Sequence, residues 1–217
     1  MRKLLLLCGI LTPLVYVFTV SLGGILTPGY SHIAQAVSDL IAAEAPAKSL
    51  LDPLFAIYNL LMFAFAIGLF LRMRADSKPR QIVGTVGALV LAAEGIFGLV
   101  TLFFPEDAGG VGAQISATGS MHIIFASLSS LTTMLAILLV GLWFRSSPRW
   151  QRYAIYSFIS LLVVFVAGGM AAASIANRSP FGGLAERTTI GGFMQWVFVV
   201  AWTMYASEGT SSAAPNN

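Results

Sequence analysis

The sequence predicts an all-α polytopic membrane protein: a bundle of six transmembrane helices with both termini cytoplasmic. Three observations carry this expectation. The 217 residues are 57% hydrophobic and only 10% charged, and mean hydropathy is +0.84, far from the balance of a soluble domain. The apolar residues are gathered into six runs, each long enough to cross about 30 Å of hydrocarbon as a helix. The cations cluster at alternate ends of those runs, an asymmetry that sets orientation.

The first run, Leu4 to Leu26, is too long for a secretory h-region and lacks a small-x-small cleavage site, so it reads as a retained span. Cys8 lies inside it and is the single cysteine, which leaves no intrachain disulfide and no thiolate metal site. It reads as a small buried hydrophobe. Leu7 stands where a lipidation signal needs a small residue. Pro28 and Gly29 then turn the chain out of the span. In YSHIAQAVSDLI, Tyr30 to Ile41, a period of 3.6 places His32, Gln35 and Asp39 on one face with Ser31 and Ser38 beside them. Ile33, Val37, Leu40 and Ile41 fall opposite, which predicts a short amphipathic helix in the first outer loop.

The second run is Leu51 to Met73 and the third Ile82 to Phe104, with Arg72, Arg74, Lys78 and Arg80 between them. Pro105, Glu106 and Asp107 leave the third span, and a Gly109, Gly110, Gly112 stretch returns the chain to the fourth, Thr118 to Phe144. Thr118, Gly119 and Ser120 offer N-capping chemistry there, which puts His122 about one turn inside. The fifth run, Tyr153 to Ile175, carries Gly168, Gly169 and Ala171 to Ala173, a small-residue tract expected to let helices approach closely. Trp143, Trp150, Trp196 and Trp202 read as interface aromatics. Glu186 and Arg187 precede the sixth run, Thr189 to Ala206. Residues 1–206 thus form one domain, and 207–217, SEGTSSAAPNN, read as a disordered cytoplasmic tail.

Nine of the twelve Lys and Arg fall on the side of the termini; Lys48, Arg178 and Arg187 fall on the other. The acids reverse this pattern, with Asp39, Glu44, Asp52, Glu106, Asp107 and Glu186 outside and only Asp76 and Glu208 inside. Both histidines are outside too. A net charge of +3 spread over short clusters, with no basic surface, excludes nucleic acid as a partner. Localisation to the cell membrane and partnership with membrane lipids follow from the same reading.

Three pieces of the pattern, PGYSHIAQAVSDL, FPEDAGG followed by TGSMH, and GGLAER before the last span, resemble the prokaryotic membrane family catalogued as domain of unknown function 998. The pieces are short but stand in order at the corresponding helix ends, and the resemblance runs over essentially all six spans. It implies a six-helix integral membrane protein without an agreed activity.

The outer residues admit three readings. In a lipid-directed membrane hydrolase, Ser38 is the nucleophile, His122 the base, and Asp107 or Asp39 the orienting acid; no G-x-S-x-G elbow accompanies them. In a metal-dependent version, His32 and His122 with Asp39 and Asp107 or Glu186 surround a zinc-like ion. That arrangement looks loosely like the alkaline-ceramidase-like membrane hydrolases, but this chain has six spans rather than seven and no H-x-x-x-H. Two histidines make a thin ligand set, so no metal or other cofactor is favoured. In a non-enzymatic lipid-binding or scaffold protein, the cluster of His32, Asp39, Asp107, His122, Glu186 and Arg187 is a structural cap whose members pair with one another. Arg187, against the positive-inside trend, is expected to pair with Asp39 or Asp107. Glu94, midway along the third span, reads as a neutral acid bonded to one of Ser127, Ser129, Ser130, Thr132 or Thr133. A small transporter using Glu94 is the alternative.

Overall fold

The computed structural model describes residues 1–76, 78–107, 116–177 and 179–211, apart from the side chains of 78, 79, 175, 176 and 209–211. Its helices are α1 (Arg2–Leu26), α2 (Lys48–Met73), α3 (Lys78–Thr101), α4 (Ala117–Arg145), α5 (Gln151–Ala176) and α6 (Gly182–Ser211). Two short 3-10 turns, Ser38–Ile41 and Pro148–Trp150, complete the regular structure, and no strand occurs among the described residues.

The apolar runs become helices because each backbone polar group must be satisfied within its own segment once water is gone. α1 passes through Pro13 and stops at Leu26, where Gly29 takes the left-handed φ of +77° that the turn requires. The helices pack in chain order, and α6 closes back on α1, so the bundle is a ring. Five of the six are long and apolar enough to cross a membrane. α6 is the exception by composition, although its 30 residues give length to spare. Thr188, Thr189, Gly191, Gly192, Gln195 and Thr203 dilute its apolar character, and Trp196, Val197, Val200, Ala201 and Met204 are fully buried. That face packs inside the ring, while Gln195, Phe198 and Trp202 stay exposed.

One end of the ring is cationic, the other acidic. The cationic half is close-packed around Leu6, Phe65, Leu69, Trp143, Trp196 and Met204. Its two acids are both held by arginines. Arg2 Nε donates to Glu208 at 2.8 Å and Arg72 lies 3.6 Å from it, while Arg72 and Arg80 each lie 3.6 Å from Asp76. α6 thus stays helical through Glu208, inside the segment expected to be a disordered tail; residues 212–217 lie outside those described.

Two packing expectations change. Trp143 and Trp196 are core residues with satisfied indoles, donating to Asp76 at 2.8 Å and to Ser157 at 3.0 Å. Trp150 is buried as well, and Trp202 alone of the four is exposed. The small-residue tract of α5 brings helices together over only part of its length: a side chain on Gly168 would touch Thr189 at 3.5 Å, whereas one on Gly169 would meet nothing within 4 Å, and a gap is left there.

Candidate functional site

At the acidic end, the segment between α1 and α2 is tied to α6 mainly through backbone groups. The first N–H groups of a helix have no partner within it, and those of Gly183 and Leu184 donate to the carbonyls of Ala34 (3.3 Å) and Ile33 (2.8 Å). The approach is close enough that any side chain on Gly183 would collide with the Gln35 carbonyl. From the next turn, Glu186 accepts the Val37 N–H at 3.0 Å. Arg187 donates to the carbonyls of Gln35 (2.7 Å) and Gly183 (3.0 Å) and to the Tyr30 hydroxyl. Tyr30 in turn donates to the Ala36 carbonyl at 2.6 Å.

These bonds explain why Tyr30 to Ile41 is not the continuous amphipathic helix expected. The Ala36 N–H goes to Asp39 at 3.0 Å and the Val37 N–H to Glu186, while the Gln35 and Ala36 carbonyls are taken by Arg187 and Tyr30. Side chains have captured the backbone groups a helical ladder would use. A single turn closes where the Gln35 N–H donates to the Ser31 carbonyl at 2.8 Å, and Ser38–Ile41 alone is helical, as 3-10 helix. Val37, Leu40 and Ile41 still bury together, but Ile33 of the predicted apolar face is exposed.

The predicted partner of Arg187 is also corrected. Among the described residues no carboxylate lies within ion-pair distance of it; the forked guanidinium reads two carbonyls and a phenol instead. Asp39 and Arg187 interact only at longer range. Burial pushes the Tyr30 hydroxyl up to about 12 and raises the Asp39 carboxyl, with Glu106 adding to the rise. Burial likewise raises Glu186 to about 7, against the pull of the Val37 N–H and Arg187.

The α3–α4 connection joins this cap through the Ala43 N–H, which donates to the Glu106 carbonyl at 3.1 Å. Asp107 accepts the hydroxyl (2.6 Å) and N–H (2.8 Å) of Ser116, which hold its carboxyl below the usual range. Ser116 in turn caps α4 by accepting the Gly119 N–H. The cap therefore stands before Thr118, and the predicted glycine stretch of 109, 110 and 112 lies outside the described residues. His122 follows in the second turn, buried, with Nδ1 2.8 Å from the Phe104 carbonyl. A carbonyl only accepts, so Nδ1 carries the hydrogen of this bond.

The expected triad is not assembled as such. Phe104, not an acid, orients His122, and Asp107 serves Ser116. Among the described residues no hydrogen bond joins Ser38 to His122. His32 is exposed, set edge-on to Tyr30 at 5.1 Å beside Gly24, and no three His, Cys, Asp or Glu side chains among the described residues come together as a metal site.

Some of the predicted residues do converge, around a cavity of about 210 Å³ inside the ring. Ser38, His122 and Glu186 line it at the acidic end, and Glu94 lines it deeper. Asp39, Asp107, Arg187 and His32 do not. Glu94 and the rim, separate along the sequence, share this one cavity. Ser129 is the hydroxyl that reaches Glu94, donating to Oε1 at a long 3.4 Å, while Ser130 and Thr132 bond to backbone carbonyls of their own helix. Tyr16 and Asn59 line the same space and had gone unremarked, although a polar residue inside an apolar run is a signal in its own right. Among the described residues, Tyr16 Oη, Asn59 Oδ1 and Glu94 Oε2 are buried without a hydrogen-bond partner.

A model of a protein family of unknown function, DUF998, matches residues 10–203. The chain belongs to that family. No curated protein and no solved structure matches it. The DUF998 match covers every residue that lines the cavity, from Tyr16 on α1 to Phe193 on α6.

Proposed function

We propose that this DUF998 protein binds a membrane amphiphile, with the polar end of the ligand in the inner cavity and its tail towards lipid. The observation that carries the reading is the shared wall at Thr189. This residue lines the inner cavity and also a groove of about 540 Å³ bounded by Met134, Phe165, Gly168, Gly169 and Met170. The groove lies between α4, α5 and α6, where the glycines of α5 leave space, and its walls are apolar. A mainly apolar chamber that holds a few polar side chains, Tyr16, Asn59 and Glu94 among them, next to an apolar slot on a lipid-facing surface matches a molecule with one polar end and one chain. The unpaired atoms of Tyr16, Asn59 and Glu94 supply the need for such a ligand, since each buried polar group left without a partner costs about 1–3 kcal/mol.

The cation distribution supports placing the acidic end outside the cell membrane and both termini in the cytoplasm. The cap of Tyr30, Asp39, Asp107 and Arg187 then forms the outer rim. Ser38 and His122 share the cavity, which supports hydrolysis of the bound molecule as a second reading. For transport through Glu94, the close-packed cationic half offers no supporting observation.

Native mass spectrometry of the protein released from membranes tests the binding reading. Wild type is expected to retain one amphiphile per chain, and Ala126→Phe, which fills the cavity from α4, to lose it. Equal retention by both would overturn the proposal. A serine-reactive probe that labels wild type but not Ser38→Ala would establish the hydrolytic version.

A further inference from the structure

The chemistry of the cavity wall also specifies the ligand's polar end. Among the described residues, no lysine or arginine side chain lines the space. Two carboxylates do, Glu186 at the rim and Glu94 within, and the deep unpaired atoms include two acceptors from adjacent helices, Asn59 Oδ1 and Glu94 Oε2. Glu94 and Asn59 are 4% and 3% exposed, so neither finds water on the surface of the bundle. The walls between are aromatic, with Tyr16, Phe55, Tyr58 and Phe193 all contributing. Tyr16 packs against Phe55 and Tyr58 at centroid separations of 6.4 and 5.4 Å. Acceptors, carboxylates and ring faces together attract a group that donates hydrogen bonds and carries positive charge, and they repel an anion.

We infer that the ligand is an organic ammonium, an amphiphile whose cationic nitrogen sits between Glu94 and Asn59 within the aromatic walls. This rests on the binding reading above and narrows it to one chemical class. A carboxylate buried in a membrane helix is costly when alone, and an ammonium with N–H donors answers both its charge and its unpaired oxygen. Gly98 leaves room for the Asn59 amide, because a side chain there would collide with its Oδ1.

The test uses full-length protein in lipid nanodiscs, with empty nanodiscs to subtract partitioning, and three decyl probes that differ only in the head: ammonium, alcohol and carboxylate. Wild type is expected to bind decylammonium about tenfold or more tightly than decanol, the worth of one charge-assisted hydrogen bond, and decanoate weakest. Glu94→Gln should bring the ammonium and alcohol affinities together. Ethylammonium distinguishes the source of the charge: affinity equal to that of the decyl amine points to a free aqueous amine, and much weaker affinity to an amphiphile, the cation assignment standing in both cases. Decanol or decanoate binding wild type as well as the amine would overturn the inference while leaving the cavity a binding site. Failure of every probe to bind wild type above the empty-disc level would overturn the binding reading itself. If Glu94→Gln does not fold, the wild-type ranking alone decides.

Discussion

Glu186 sits where two requirements conflict: its carboxylate must take the Val37 N–H, yet burial resists its ionisation and raises it from 4.5 to about 7. The sign of the consequence is fixed by linkage. Below pH 4.5 the folded and unfolded chains both hold the proton. Between 4.5 and 7 the folded chain binds more protons than the unfolded one, so stability falls as pH rises through that window and levels off above it. Asp39, also raised, adds a slope of the same sign. Glu186→Gln keeps an acceptor for Val37 but cannot ionise, so melting temperatures measured from pH 4.5 to 8 should fall less steeply in the variant than in wild type. Identical slopes would show that Glu186 does not titrate in this range. Little of this was legible from the sequence. The acid itself was conspicuous, but its partner is a backbone N–H 149 residues away, and backbone donors leave no mark in residue types.

The first turn of α4 is where the elements of the rim depend most on one another. Ser116 accepts from Gly119, receives Asp107 as its own partner, and begins the helix that carries His122 two turns on. Ser116→Ala should cost about 1 kcal/mol, the usual worth of an N-cap. Hydrogen exchange should quicken over residues 117–122 while the cationic half of the same helix stays protected; uniform protection in wild type and variant would mean that the cap does not hold this turn. The spans were legible because their apolar character is continuous and the membrane permits helices there. The 30–41 segment departs from the helix its residue pattern predicts because its backbone groups are claimed by side chains, those of Arg187 and Glu186 on α6 and of Tyr30 and Asp39 within the segment. The buried tryptophans deceived for a related reason. Interface position and core position both suit an indole, and what decides is whether its N–H finds a partner inside, as Trp143 finds Asp76.

Across the whole molecule, the ring is solid at its cationic end and hollow at its acidic end. Arginines on α1, α2 and α3 hold Asp76 and Glu208, closing one end, while the cap over the other leaves a chamber lined from five helices and reaching Glu94. Convergence of the three acidic-end connections could be anticipated from charge; the chamber could not, since it is made by polar side chains on α1, α2 and α3 meeting through ring closure. The central proposal, on the orientation inferred from the cations, is that this chamber is reached from the acidic, outer side and is wet or ligand-filled. A chain with Cys8→Ser, which removes the single native thiol, and Ala126→Cys tests it most directly, using a small cationic thiosulfonate added to intact cells. Leu131→Cys on the lipid-exposed face and Ser116→Cys at the exposed rim serve as references. The account predicts that Ala126→Cys reacts from outside, more slowly than Ser116→Cys, and that decylammonium protects it. Labelling of Ala126→Cys no faster than that of Leu131→Cys, or only after the membrane is opened, would contradict it.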